Sequence, residues 1–543
     1  MTTIDLLLTG ATVYPVSAPP IQRGAVAIVG DRIVAVGPAA DLAALAGPQT
    51  RIVRLAPQQS LLPAFHDSHQ HLLSFIRSRT RVSLWECATP AATLAALRDA
   101  ALRQPPGSWV VAVGYDQGRF AQPRHPTLAE LDAAIPDHPL LVYRACSHIA
   151  LANSCALAIA GVTAETADPS DGRIGRSGGA LTGVLEEGAM GLVSRATVAP
   201  PVDWRAGLRA AVAEYHRRGI VAVGEAALGH VDGLEDVARI ADLADGALGM
   251  RMYGMAYGAV AETLLAAAED VGRPLTQHEM AAALGVAGAD GRYLRFGCIK
   301  YFIDGTLGGG TALLSQDYGD EPGNRGYPIM PQEELDAKVL RAHRAGFQLA
   351  VHAIGDAAAA MVLAAYDRAL AALPRHDHRH RIEHLETINA DVLARLARGG
   401  FVANIQSLFT YWESGDVTRL GPGLAPWGHA WRSLDDAGVP LANSSDNPVL
   451  PDFHPLQGLD AAIHRLTHAD LALRPEQALT PAQALASYTA GAAYASFHER
   501  EMGALAPGML ADIVVLDGDY AVPPSGRQRD LNVTQTIAGG RSI

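Results

Sequence analysis

The amino-acid sequence predicts an α/β protein: a (β/α)8, TIM-like barrel with a small β-sandwich built from both chain termini and an insertion after the first barrel strand. Apolar strands alternate with Ala/Leu-rich helices such as 205–218 and 333–345, a pattern that favours a parallel sheet. Several strands end in polar residues, which is typical of the active site at the carboxyl ends of barrel strands.

Two β-rich segments at opposite ends of the chain predict the sandwich. Short strands separated by turns fill residues 4–60, with Gly30-Asp31 as a hairpin turn. Apolar strands return near the C-terminus, at Ile513–Leu516 and 534–540. The chain therefore divides into a β-sandwich domain and a barrel domain, with boundaries expected at 1–60 plus 497–543 and at 61–496.

Residues 80–200 depart from the barrel repeat. They contain two apolar strands, Trp109–Val113 and Leu140–Tyr143, and a glycine-rich piece around 172–183. We expect this segment to be an insertion that forms a lid over the barrel mouth.

Composition limits the class of protein. The 543 residues are 49% hydrophobic and 18% charged, so a large core can form. The net charge of −13 argues against nucleic acid and anionic membranes as partners, and no apolar run has the roughly 20 residues of a membrane span. Residues 1–5 lack the basic start of a secretory leader. We expect a cytoplasmic enzyme with a small-molecule substrate, and a homodimer is one arrangement that the sequence allows.

The segment Phe65–His71 is the first chemical signal. It follows an apolar stretch and places His69 and His71 two residues apart, on one face of a strand. Two imidazoles at the end of a buried strand suit a divalent metal such as zinc. An H-x-H pair alone is weak evidence, because His376 and His378 form another in a charged segment that we expect to be solvated.

Further ligand types follow later strands, in order along the chain. Eight strands can be counted if Leu61–Phe65 and Arg251–Ala256 are included. Each polar residue also has a simpler explanation: a core histidine, a paired lysine or a turn aspartate. Their joint position at strand ends favours a metal site, because a barrel brings these ends into one ring. The candidate ligands on these later strands are Lys300, His352, His384 and Asp446, while Glu225, Asp304 and Gln406 are further polar residues at strand ends.

These motifs resemble the amidohydrolase superfamily, and within it the family-3 branch that includes N-substituted formamide deformylases. The resemblance covers essentially the whole chain and rests on several motifs in the right order. They are Pro63–Leu72 (P-G-F-x-D-x-H-x-H in the family), Lys300–Leu307, Val351–Asp356, Arg381–Glu386, Ser445–Val449 and Gly503–Leu516.

The resemblance implies a centre of two divalent metal ions, with zinc the expected element. His69 and His71 would bind the more buried ion, and His352 and His384 the more exposed one. Lys300 stands where a carboxylated lysine bridges both ions, and an unmodified ammonium there would be repelled. Asp446 would bind metal and act as general base and acid for the bridging water, whose pKa falls toward about 7 on a metal.

Four positions depart from the family pattern without removing a proposed ligand: Ala64, Glu225, Gly308–Gly310 and Ser407. The resemblance also extends into the lid, where three segments match those that line the pocket in the family. For Glu187, a packed lid residue is an equal alternative. The candidate substrate-binding residues are Tyr115, Asp116, Gln117, His148, Glu187 and Gln406.

The predicted function is metal-dependent hydrolysis of a non-peptide carbon–nitrogen bond, of the amide or formamide type. A deaminase of the same superfamily is an alternative, although the resemblance then implies a glutamate where this chain has Gly355. A non-catalytic metal-binding homologue is an alternative from another class, and the complete ligand set argues against it.

Overall fold

A computed structural model describes residues 4–286, 289–412 and 417–543 of the protein. Residues 1–3, on which part of the argument about a secretory leader rested, lie outside this range. Across the described residues, no helix has both the length and the apolar character that crossing a membrane requires.

The centre of the molecule is an eight-stranded parallel sheet in which the strands follow one another in sequence order. Each strand pairs with its neighbour in parallel register, as in a (β/α)8 barrel. This confirms the predicted fold class. The strands are β1 (Phe65–Gln70), β2 (Ile220–Leu228), β3 (Arg251–Ala256), β4 (Leu294–Phe302), β5 (Gln348–Ala353), β6 (Arg381–His384), β7 (Val402–Ile405) and β8 (Leu441–Asn443).

The barrel closes between β1 and β8 through hydrogen bonds just beyond the paired strands. The Asp446 N–H donates to the His69 carbonyl at 2.9 Å, and the His71 N–H donates to the Asn447 carbonyl at 2.8 Å. The Ser68 hydroxyl adds a bond to the Asn443 carbonyl at 2.9 Å. The seam of the barrel therefore runs through the residues expected to bind metal.

Helices cover the outside of the barrel and bury its apolar strands. The two helices predicted at 205–218 and 333–345 are observed with shifts of one residue. The helices around the barrel are Leu72–Ser78, Trp204–Arg217, Glu235–Ile240, Gly258–Val271, Gln277–Ala283, Gln332–Arg344, Asp356–Ala372, Ala390–Gly399, Phe409–Trp412, Trp431–Asp436, Pro455–His464, Pro481–Ala486 and Ala492–Ala495.

The predicted first barrel strand, Leu61–Phe65, is wrong in its boundaries. Ser60–Pro63 instead pairs antiparallel with Ile513–Leu516 in a terminal sheet. The Ala64 N–H still bonds to the Asp512 carbonyl, and the barrel strand begins at Phe65. One continuous apolar run therefore contributes strands to two sheets, and hydrophobic periodicity alone does not show where the first strand ends and the second begins.

The two chain ends build two sheets that share one apolar core, which includes Leu8, Val26, Ile513 and Val515. A short helix, Ala39–Leu42, accompanies them. The four-stranded sheet has the order Arg32–Pro38, Gly24–Val29, Leu6–Thr9 and Arg51–Arg54. The five-stranded sheet has the order Thr12–Val13, Ser60–Pro63, Ile513–Leu516, Val533–Ala538 and Arg541–Ser542.

The segment between β1 and β2 forms a six-stranded mixed sheet with its own apolar cores. We call it the lid, because His148 of this segment reaches the barrel mouth. Its strands, in sheet order, are Gly172–Ser177, Ala180–Glu187, Ile149–Ala152, Leu140–Arg144, Val110–Tyr115 and Val82–Ser83. Its helices are Pro90–Ala101, Leu128–Ala134, Ser154–Ile159 and Met190–Ser194.

One histidine pair differs from expectation. His378 was expected in a solvated segment, but it is 4% exposed and bonds through Nε2 to the Gly399 carbonyl. It stacks beside His380, whose Nε2 lies 2.9 Å from His343 Nδ1. These imidazoles form a buried polar cluster just before β6 and are already engaged with protein groups, so they are not a second metal site.

Candidate metal centre

Asp446 faces both histidines of the first motif. His69 lies on β1, and His71 follows that strand directly. Asp446 Oδ1 is 3.1 Å from His71 Nε2 and 3.4 Å from His69 Nε2. The Asp446 backbone has a left-handed φ of +57°, which is uncommon for a residue other than glycine. This turn, together with the seam hydrogen bonds, directs its carboxylate toward the imidazoles.

His384 and His352 complete a row of imidazoles. The His384 ring centroid lies 4.8 Å from that of His69 and 4.4 Å from that of His352. One ligand atom each from His69, His384 and Asp446 lies within 4.8 Å of the other two. All of these side chains are buried, so the group can hold a metal ion away from bulk water.

Hydrogen bonds orient three of the four imidazoles. His69 Nδ1 contacts the Glu383 carboxylate, His384 Nδ1 lies 3.0 Å from Gln406 Oε1, and His352 Nε2 lies 3.0 Å from the Gly305 carbonyl. Each partner is an acceptor, so each of these ring nitrogens carries the hydrogen. The other nitrogen of each ring is left with its lone pair, which is what a metal ligand needs.

Lys300, on β4, is fully buried beneath these rings. Its Nζ makes no hydrogen bond to the described residues and lies 4.6 Å from the centre of the Phe302 ring. Burial opposes the charged ammonium and lowers the pKa of Lys300 to about 8, although Glu383 and Asp446 favour the charge. A buried amine without a partner is costly, which points to a group that the protein fold itself does not supply.

The unpartnered atoms test whether this site fits divalent metal ions. His69 Nε2, Lys300 Nζ and Asp446 Oδ1 are all buried and, within the described structure, lack hydrogen bonds of good geometry. They belong to residues at the carboxyl ends of β1, β4 and β8. A nitrogen and oxygen donor set of this kind suits zinc and similar ions. The residues present therefore fit a bound metal ion.

A small cavity of about 20 Å³, room for about one water molecule, opens beside the centre. His148 of the lid lies at its wall, with a ring centroid 5.1 Å from that of His352. His148 Nδ1 is 2.7 Å from Glu187 Oε2. Burial opposes the charge of His148, but Glu187 outweighs it and raises the pKa to about 9. The cavity is lined by Cys146, His148, Thr306, Leu307, His352, Ile354, His384, Glu386, Phe409, Asp446 and Val449.

Four predicted substrate residues lie elsewhere. The Tyr115 hydroxyl is 2.9 Å from His125 Nδ1 within the lid. Asp116 and Gln117 each accept a hydrogen bond from Arg144. Gln406 is 2% exposed and is held between His384 and the Ser444 hydroxyl. None of the four is among the described residues that line the cavity, and their role in substrate binding stays a prediction.

Sequence reasoning gave no role to Glu383, Asp304 and Asp67. Glu383 contacts His69, and Asp304 accepts the N–H groups of Ile354 and Gly355 beside His352. Burial raises the pKa of Asp304 to about 7. All three lie inside or beside recognised motifs. Residues two apart on a strand point to the same face, so the position of Glu383 two residues after Arg381 could have indicated that both face the barrel interior.

Comparison with known proteins supports this picture. The model of the amidohydrolase family matches residues 56–543, and a short match at residues 24–46 is to an imidazolonepropionase-like composite domain of bacteria. The putative amidohydrolase YtcJ of Bacillus subtilis (strain 168) is 29% identical over 89% of this chain and 88% of its own length. The N-substituted formamide deformylase of Arthrobacter pascens is 28% identical over 99% of this chain and 97% of its own length.

A solved structure shares the fold. An uncharacterised metal-dependent hydrolase from Pyrococcus horikoshii OT3 superposes with a TM-score of 0.70 at 24% identity, covering 99% of both chains. The resemblance inferred from the sequence motifs is thereby confirmed, since the family match spans most of the chain. The chain belongs to the amidohydrolase family and is a hydrolase.

Proposed function

We propose that the protein hydrolyses a non-peptide carbon–nitrogen bond of the amide or formamide type. The centre would hold two divalent metal ions, with zinc expected, through His69, His71, Lys300, His352, His384 and Asp446. The relative from Arthrobacter pascens, an N-substituted formamide deformylase, supports this choice of bond. When bound, the ions would supply a water of lowered pKa and polarise a carbonyl oxygen.

The position of Asp446 carries the proposal. Its side chain is 9% exposed and faces the imidazoles of His69, His71 and His384, and it also borders the cavity. A carboxylate here can take a proton from the attacking water and return it to the leaving nitrogen. Among the described residues, Oδ1 makes no hydrogen bond of good geometry, and the nitrogens of His71 and His69 lie 3.1 and 3.4 Å from it.

We also propose that Lys300 is carboxylated. The reaction joins the neutral amine to carbon dioxide, forms an N–C bond and releases one proton. The lowered pKa of Lys300 favours the neutral amine that this reaction requires. The product replaces a buried cation with an anion, which removes the repulsion between an ammonium and two divalent ions.

The cavity indicates how a substrate is held. Leu307, Ile354, Phe409 and Val449 give the cavity an apolar lining, while His148 lies beside His352 with its Nδ1 fixed by Glu187. His148 Nε2 is then directed toward the substrate as a hydrogen-bonding group. Thr311 donates to the second oxygen of Glu187 at 3.1 Å, so the lid and a barrel loop hold this carboxylate together.

The deaminase alternative meets a steric obstacle. It implies a glutamate in place of Gly355, three residues after His352. A Cβ atom added at Gly355 would lie 1.9 Å from the Leu313 carbonyl oxygen, so a side chain there would force the backbone of the neighbouring loop to move. The structure therefore favours amide hydrolysis over deamination.

Metal analysis and a substrate panel test the proposal. Protein purified without chelator should contain about two divalent ions per chain and should release amine and acid from N-formyl or N-acyl amines. Ammonia released from amino-substituted rings would instead support a deaminase. Bound metal without turnover of either kind of substrate would support a non-catalytic homologue. Full activity without metal would refute all three hypotheses, namely the amide hydrolase, the deaminase and the non-catalytic metal-binding homologue.

A further inference from the structure

We infer that Glu383 is a positioning residue that fixes the ring of His69 and makes the His69 side of the centre the tighter of the two metal positions. The inference rests on the proposed function, since it concerns the same centre. It assigns a role to a residue that is not a proposed metal ligand and is not among the described residues that line the cavity.

Glu383 is wholly enclosed in the barrel interior. Its two oxygens receive the Arg381 guanidinium in a two-pronged pair at 2.7 and 2.9 Å. Asn404 Nδ2 donates to Oε2, the same oxygen that contacts His69 Nδ1. The carboxylate therefore has no freedom to rotate, and its position is set by groups on β6 and β7 before any ligand binds.

The groups behind Glu383 are also fixed. Arg381 donates to the Ser68 carbonyl at 3.0 Å, which ties β6 to β1 one residue before His69. The Ser68 hydroxyl donates to Asn404 Oδ1 at 2.7 Å. Hydrogen bonds thus link Arg381, Asn404 and Ser68 to one another and hold the Glu383 carboxylate in place.

An anionic acceptor acts differently from a neutral one. A carboxylate that accepts the Nδ1–H of an imidazole makes the opposite nitrogen a stronger electron donor and holds the ring in one tautomer. His384 is backed by the neutral amide of Gln406, and His352 by the carbonyl of Gly305. His69 is thus the imidazole with the strongest support, which predicts that the two metal positions differ in affinity.

A purely structural role for Glu383 is the competing explanation. An enclosed ion pair with Arg381 could serve only to fill the barrel interior, and breaking it would then cost stability. In that case, replacing Glu383 should lower the free energy of unfolding equally with and without metal. The positioning role instead predicts a selective loss of the first metal, so the two explanations differ in a binding measurement.

The decisive experiment titrates zinc into metal-free protein against a competing chelator. Wild-type protein should show two phases of different affinity. Glu383→Gln should weaken the tighter phase by about 10- to 100-fold and leave the weaker phase within about twofold. Asp460→Asn is the matched control, because Asp460, on the helix Pro455–His464, is an equally buried carboxylate that pairs with the Arg527 guanidinium and contacts no proposed ligand among the described residues. This control should leave both phases unchanged.

A measurement on the unmutated protein protects the test against misfolding of the variant. Nitrogen-15 spectra of histidine-labelled, metal-free protein, assigned with a His69→Gln variant, should show His69 with its hydrogen on Nδ1. An Nε2–H tautomer, or equal weakening of both phases in Glu383→Gln, would overturn the inference. Wild-type protein that binds no zinc would instead refute the proposed function, so the two failures are distinguishable.

Discussion

The carboxylate of Asp67 accepts two hydrogen bonds from Ser445, one from its backbone N–H at 2.9 Å and one from its hydroxyl at 2.5 Å. Asp67 lies on β1 and Ser445 directly follows β8, so this contact joins the first and last barrel strands. His69 lies two residues after Asp67, and Asp446 lies one residue after Ser445. The contact therefore fixes the spacing across which the candidate metal centre is assembled.

Removing this contact should cost both stability and activity. Asp67→Ala leaves the Ser445 N–H and hydroxyl unpaired in a buried site, which should lower the free energy of unfolding by about 2–4 kcal/mol. Urea unfolding followed by fluorescence measures this, and initial rates show whether Asp446 is displaced. Ser445→Ala, which removes one of the two bonds, should lose about 1 kcal/mol. Equal stability of all three proteins would contradict the role of the contact.

Asp446→Asn should keep the fold and much of the metal but lose turnover. Asparagine still offers an oxygen, yet it cannot accept a proton from water at neutral pH. The expected loss is on the order of 10² to 10⁴ in rate. If Asp446 only stabilises its loop, the variant should instead lose about 1 kcal/mol and remain active. Melting temperature and initial rate, measured on the same sample, separate these outcomes.

Lys300→Ala should release one metal ion and remove most activity, because the proposed bridge is lost. A short-chain acid added to the assay should restore part of the activity by supplying a carboxylate in its place. Elemental analysis and initial rates are the measurements. Lys338→Ala, which changes an exposed lysine paired with Glu334, is the matched control and should behave as wild type. Two retained ions in Lys300→Ala would count against the bridge.

His148→Ala should reduce kcat/KM by about 10- to 1,000-fold while two metal ions remain bound, because His148 reaches the cavity from the lid without being a proposed ligand. His125→Ala is the control, since His125 also belongs to the lid but bonds to Tyr115. Steady-state kinetics together with metal analysis test this. Loss of metal from His148→Ala would reassign the residue to the centre itself.

The histidine cluster before β6 predicts instability in acid. Burial holds the pKa of His380 well below 6.5, so the folded protein keeps this imidazole neutral while the unfolded chain is protonated. The stabilisation is present above the unfolded pKa of about 6.5 and is lost as the pH falls below it, by up to about 1.4 kcal/mol per pH unit for each such histidine. Urea unfolding of metal-free protein between pH 7 and pH 5 measures the slope. His380→Gln should flatten it, and the exposed His376→Gln should not.

The alternation of apolar strands and helices along the sequence predicted much of the barrel. The polar residues at the strand ends predicted that the candidate ligands lie together. The strand that carries His352 could be located because an apolar run precedes that histidine, whereas Arg381–His384 is mostly polar and was recognised through its family motif. The assignment of Leu61 and Leu62 to the barrel was wrong, because an apolar run does not reveal which of two sheets it joins. Family resemblance supplied Asp446, which a turn-forming context alone could not distinguish from a cap.

The supporting contacts were beyond sequence reasoning. Gln406 was placed with the substrate, although its amide serves His384. Glu383 received no role because its contact with His69 spans 314 residues and depends on how the barrel closes. Local patterns report which side of a strand a residue occupies, but they do not report what faces it across the barrel interior.

The seam between β1 and β8 has a consequence for biosynthesis. Asp67 and Ser445 are 378 residues apart in the sequence, so the residues that meet at this seam are synthesised at very different times. During translation, the first histidine pair leaves the ribosome long before the aspartate that faces it has been made. The candidate metal centre can therefore be complete only in a chain that extends as far as Asp446.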